Sequence, residues 1–147
     1  MALHQSAWAL GQLQLPVSAE SRGTVTERFN FIVNEDIADG DIIELAGLPA
    51  YHFPVNAVLI TPALGAGVTA DLGIMSGKFG EADDARTSGD ELYDGVDVAA
   101  AAVTRMTLAS GFLIAQANDH RGIGLKILGD DVAAAGQEIT LILSYVQ

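Results

Sequence analysis

The chain has 147 residues, half of them hydrophobic, with a formal net charge of −12 and no cysteine. That length suits one domain able to bury a sizeable core, and the apolar content excludes global disorder. The negative charge argues against direct binding to nucleic acid or to an anionic membrane surface. Without cysteine there is no disulfide framework and no thiolate or zinc–sulfur chemistry.

Read from the N-terminus, the first twenty residues carry one acid, Glu20, and no Lys or Arg. Val17-Ser18-Ala19 imitates a signal-peptide cleavage site. No basic residue precedes it, and His4, Gln5, Gly11, Gln12 and Gln14 interrupt the apolar run, so a signal peptide is not expected. No run of ~18 apolar residues occurs, so no membrane-spanning helix is expected either. Period-two alternation begins at residues 24–33, where Val25, Phe29, Phe31 and Val33 share a parity broken by Glu27. Further strand-like runs follow at residues 42–45, 55–61, 68–75, 104–115 and 123–128. The last, at 138–146, sets Ile139, Leu141, Leu143 and Tyr145 on one side.

Turn residues separate the runs: Asp39-Gly40, Pro49, Pro54, Pro62, Gly65-Ala66-Gly67, Asp94-Gly95 and Gly129-Asp130. Roughly seven or eight short strands punctuated in this way point to a β-sandwich or barrel. Ala99 through Ala102 and residues 130–136 have helix-forming composition, but strands flank both closely, and they are read as loops or short turns.

The acids are gathered in two places. Glu35, Asp36, Asp39, Asp41 and Glu44 form one cluster. The stretch 73–95 holds five glycines and six acids (Glu81, Asp83, Asp84, Asp90, Glu91, Asp94) in 23 residues, against Lys78 and Arg86. A loop of that length and composition is solvated, bound to cations or pressed against another molecule. Its carboxylates are hard oxygen ligands suited to Ca²⁺, yet their spacing does not match the D-x-[DN]-x-[DN]-G loop. The reading adopted is an outward-facing or intersubunit loop, its acids solvated or paired with a neighbour's arginine.

Catalytic signatures are missing. Gly73-Ile74-Met75-Ser76-Gly77 fails the G-x-S-x-G spacing, and Gly77-Lys78 lacks the rest of a phosphate-binding loop. His4, His52 and His120 are isolated along the chain, which is the pattern of surface or core histidines rather than of bases. No catalytic residue, metal ligand or cofactor is expected.

One family is similar in its motifs. The run Gly40-Asp41-Ile42-Ile43-Glu44-Leu45-Ala46-Gly47-Leu48-Pro49-Ala50, with the strand from Val55 to Ile60, resembles small virion proteins of tailed bacteriophages. So do Leu72-Gly73-Ile74-Met75-Ser76-Gly77, Asp83-Asp84-Ala85-Arg86-Thr87 and Gly89-Asp90-Glu91. The ending, from Arg121 to Ile127 and then Ser144-Tyr145, does likewise. The resemblance covers roughly residues 24 to 147. It implies an all-β, jelly-roll-like antiparallel β-sandwich that acts as a head decoration or cement protein. Such a protein binds the outer capsid lattice, with the major capsid protein as partner and a homotrimer as the usual assembly. It is made in the bacterial host cytoplasm and resides on the capsid exterior.

Residues 1–20 are then expected to form an extended N-terminal arm and residues 21–147 the sandwich. Leu3, Trp8, Leu10, Leu13 and Leu15 are more hydrophobic than an exposed tail requires and are the candidate capsid or subunit contacts. An arm with Leu13, Leu15 and Val17 in alternation can add a strand to a neighbour's sheet edge, and would be flexible until docked. The alternative is a β-sandwich binding module of a phage tail or fibre, recognising carbohydrate or a host surface and carrying calcium at residues 81–97.

Overall fold

The two best alternating segments of the chain, near its start and at its end, pair with each other. In the computed structural model, which describes residues 1–17, 23–133 and 135–147, β2 (Val25–Ile32) runs antiparallel to β9 (Glu138–Val146), from Val25 opposite Tyr145 to Ile32 opposite Glu138. The side of β9 carrying Ile139, Leu141, Leu143 and Tyr145 is fully buried, as strict alternation requires. Beyond β9 lie β4 (Phe53–Thr61) and β7 (Ala102–Arg105), giving a four-stranded sheet in the order β2-β9-β4-β7.

The second sheet has five strands in the order β1-β3-β8-β5-β6. They are β1 (Leu3–Gln5), β3 (Ile42–Leu48), β8 (Arg121–Leu128), β5 (Thr69–Ile74) and β6 (Tyr93–Asp97). β1 is parallel to β3, and the other neighbours are antiparallel. From β2 to β5 and again from β6 to β9, successive strands alternate between sheets, so most pairings join segments far apart in sequence. The result is an all-β, jelly-roll-like sandwich. Phe29, Leu59, Leu141 and Leu143 of one sheet belong to a single core with Ile43, Leu45, Leu72, Leu125 and Ile127 of the other.

β3 departs from simple alternation because all seven of its residues are buried. One face meets the core. The N-terminal segment and the long loop after β5 cover the other, as Leu15 and Phe79 do at Gly47. A strand covered on both faces loses the polar alternation that marks a half-exposed one.

Three differences from the sequence reading stand out. The expected strand at 104–115 ends early: β7 stops at Arg105, and Ala109–Phe112 form a single helical turn, α1, closed by the Leu113 N–H on Ala109 O and Ser110 O. Asp94-Gly95 is not a turn between strands but lies inside β6. There the register on β5 slips between Ala70 and Leu72, Gly95 takes φ +59°, and its N–H donates to Asp71 Oδ1 at 2.7 Å. This is a β-bulge, for which glycine is suited by its freedom at positive φ.

The third difference concerns the N-terminal segment, which was expected to extend toward a neighbour. It docks on its own chain through β1, the Ser6 N–H on Glu44 O, and a tight turn in which Leu10, Gln12 and Leu13 N–H return to Ser6 and Ala7 carbonyls. Ser18, Ala19 and Glu20, with the boundary set at residue 20, fall outside the described residues. So does Ala134 of the expected turn at 130–136.

Candidate functional site

Placed on the fold, the five candidate contact residues separate into two groups. Trp8 points inward, 8% exposed, and packs edge-on against Phe29 with ring centroids 5.0 Å apart. Leu3 is half-buried in β1, and Leu15 is half-buried over Gly47 beside Phe79. Leu10 and Leu13 face solvent, at 55% and 47% exposure, and Val17 joins them. The Tyr145 hydroxyl, from β9, donates to Pro16 O and ties the end of this segment to the opposite sheet. Burial and the nearby Glu27 push that phenol's pKa up. The inward residues therefore hold the segment, and Leu10, Leu13 and Val17 are left exposed on it.

Further exposed apolar side chains went unnoticed in the sequence. Val103 lies on the edge strand β7, and Phe112 and Leu113 lie at α1, Leu113 at 78% exposure. The sequence signal at α1 was an apolar pair directly after Ala109-Ser110-Gly111, hidden by reading the segment as strand.

The long acidic loop is anchored from within. Arg86, 3% exposed, reaches back to Glu44 of β3, which is fully buried. Nη1 donates to Glu44 Oε2 at 2.9 Å and Nη2 to Oε1 at 2.7 Å, a two-pronged pair of the strong planar kind. The same guanidinium donates from Nε to Ser76 O at 2.7 Å and from Nη1 to Glu81 O at 2.9 Å. Glu44 also accepts from Gln5 Nε2 at 2.9 Å and from the Gly80 N–H at 3.2 Å. One carboxylate thereby joins β1, β3 and the loop. The loop's arginine partner is an acid of the same chain, from the other acidic cluster.

The remaining acids divide by position. Glu91 turns in to accept the Ile74 N–H at 2.9 Å, while Glu81, Asp83, Asp84, Asp90 and Asp94 stay exposed. Among the described residues, no three His, Asp or Glu side chains are gathered so as to hold a metal ion. In the first cluster Glu35, Asp36 and Asp39 are exposed but Asp41 is buried. His4 lies between Glu35 and Asp41, at 3.2 and 3.3 Å. His120 Nδ1 accepts the Ala50 N–H at 3.0 Å, and His52 Nδ1 lies 2.8 Å from Ala50 O, so both brace the turn at 49–52.

This fold, with its long loop fastened inward through Arg86 and Glu44, has counterparts among known proteins. A chain in the solved capsid of Ralstonia phage GP4 superposes with a TM-score of 0.94 and 42% identity, covering 99% of this chain and 98% of that one. A chain of the cyanophage Pam1 capsid asymmetric unit shares the fold at a TM-score of 0.64 and 13% identity, over 91% of each chain. No family model and no curated protein matches. The chain belongs to the same family of bacteriophage virion structural proteins as the Ralstonia phage GP4 chain, and its place is the virion.

Proposed function

We propose that the chain is a non-enzymatic capsid decoration protein, which binds the outer capsid lattice through the major capsid protein and stabilises the shell against internal DNA pressure. The observation that carries this reading is the 42% identity, over nearly the whole chain, to a chain of a phage capsid. Leu10 and Leu13 are the capsid or subunit contacts. Leu3, Trp8 and Leu15 serve the same surface by holding the segment in place, and residues 1–17 act with the sandwich rather than as a loose arm. The exposed acids discourage unspecific adhesion to nucleic acid. Repetition over a lattice, in trimers or otherwise, turns modest single contacts into firm retention.

The test is co-sedimentation of the purified protein with capsids that lack it. Wild type is expected to co-sediment, and the Leu10→Asp/Leu13→Asp double variant to lose most of its binding while keeping its melting temperature. Deleting the segment is the poorer experiment, since it removes β1 and takes Trp8 out of the core. Wild-type protein that stays in the supernatant would refute the proposal, and full binding by the double variant would move the contact elsewhere.

A further inference from the structure

β1 and β2 are edge strands of different sheets, and a groove runs between them. It consists of two adjoining hollows of about 290 and 390 Å³, which share Gln5, Leu10, Phe31 and Asn34 as walls. The ladder fixes which backbone groups of β2 are left over. Val33 N–H donates to Gln137 O at 2.8 Å and Gly136 N–H to Val33 O at 2.7 Å, continuing the pairing of β2 with β9. Hydrogen-bonded pairs alternate in an antiparallel ladder, so the odd-numbered residues of β2 bond to β9 and the even-numbered ones turn N–H and C=O outward. The Arg28 N–H is answered by Glu27 Oε1 at 2.9 Å. Those of Asn30 and Ile32, which line the groove, meet no strand among the described residues.

β1 behaves alike. Ile42 N–H donates to Ala2 O and Ser6 N–H to Glu44 O. Ala2, His4 and Ser6 therefore serve β3, and the backbone of Leu3 and Gln5 faces away from it. The Leu3 N–H is met by Asp84 Oδ1 at 3.3 Å.

Open N–H and C=O groups on a strand edge are completed by another main chain in extended form. The walls suit such a chain, since Leu10 and Phe31 are apolar while Gln12 and Asn34 carry amides that donate and accept. Charge narrows the choice. Glu35 stands in the wall and Asp84 beside Leu3, whereas no Lys or Arg lines either hollow. A second copy brings the same acids and the same net charge of −12, so a partner segment carrying Lys or Arg is favoured over it.

We propose that the groove between β1 and β2 is a strand-acceptor site, in which an extended basic segment of the capsid shell protein adds to the free edge of β2 at Asn30 and Ile32. The inward side chains of that segment are apolar and continue the face of Phe31 against Leu10, and its basic residues meet Glu35. That the donor is the shell rests on the proposed function, whereas the acceptor edge is a property of the free chain.

The probe for the free chain is a capped peptide, Lys-Val-Thr-Val-Thr-Val-Lys, titrated into isotope-labelled protein and followed by amide NMR. Saturable shifts centred on Asn30 and Ile32 are expected at or below about 1 mM peptide, with the amides of β8 unmoved. Glu in place of both Lys should weaken binding about tenfold, and methylating every backbone nitrogen of the peptide should abolish it. On capsids that lack the protein, Asn30→Pro should bind about tenfold more weakly than wild type, because it removes an outward N–H and no bond to β9. Asn30→Ala keeps that N–H and should bind like wild type. Absent shifts, shifts centred on another strand, or equal binding of the methylated peptide would overturn the acceptor edge. So would a free chain that dimerises through these amides in sedimentation velocity, since a second copy would then be the occupant. If the peptide binds as expected while wild type ignores capsids, the edge stands and the proposed function fails. If Asn30→Pro decorates capsids as tightly as wild type, the shell strand is refuted.

Discussion

Arg86 and Glu44 show how much can rest on one residue. Without the guanidinium, a fully buried carboxylate keeps Gln5 and Gly80 as its donors among the described residues, and stranding a buried charge costs about 3–5 kcal/mol. Arg86→Met is expected to lower the stability measured by urea unfolding by about that amount. Glu44→Leu combined with Arg86→Met should recover part of it, because an apolar pair leaves no charge stranded. Gly122 on β8 makes the space: a Cβ there would lie 2.2 Å from Glu44 Oε1 and 2.9 Å from Arg86 Nη2. Gly122→Ala should therefore destabilise the fold nearly as much as loss of the arginine, which a melting curve would show.

Among the elements, the N-terminal segment and the β7–α1 corner make opposite demands. Trp8 fills the core against Phe29, so Trp8→Ala is expected to cost about 3–5 kcal/mol, read as a drop in the urea midpoint. Val103 and Leu113 bury little, so Val103→Lys and Leu113→Lys should leave that midpoint unchanged and act only on association. Legibility followed the same division. β2 and β9 could be read because one face of each is buried, and alternation follows directly from that. β6 could not, because its bulge needs Asp94-Gly95, which elsewhere marks a turn. β1 is too short to show a period, and its partner, β3, lies about forty residues away. Of the candidate site, the hydrophobic excess at Leu10 and Leu13 was visible. That Trp8 faces the core was not, since inward and outward positions in an irregular segment follow no fixed spacing.

For the whole molecule, the two sheets are joined by polar contacts whose protonation sets an upper pH limit. The Tyr93 hydroxyl lies 2.8 Å from Ala57 O and 3.0 Å from Thr104 O, so β6 of one sheet is tied to β4 and β7 of the other. Burial pushes this phenol up to about 12. The unfolded chain releases the proton near 10 and the folded chain later, so stability is intact below that range and falls as pH rises through it. The expected slope is about 1.4 kcal/mol per pH unit for each such tyrosine, measured as unfolding free energy at successive alkaline pH values. Tyr93→Phe should flatten the fall, leaving the part due to Tyr145, whose phenol is raised in the same sense.

What this sequence determined by itself was what depends on near neighbours and on bulk charge. It set the alternating strands, the turns between most of them, an acidic exterior and a family likeness carried by strand and turn motifs. The tertiary structure decided which acids are exterior at all. Asp41 and Glu44 belong to the same acidic run as Glu35, Asp36 and Asp39, yet both are buried and bonded. It also decided that the N-terminal segment closes over its own β3. Both outcomes depend on register between strands and on a loop folding back across 42 residues from Arg86 to Glu44. Coulombic and hydrogen-bond partners are chosen by distance in space, and no local pattern in the chain records that distance.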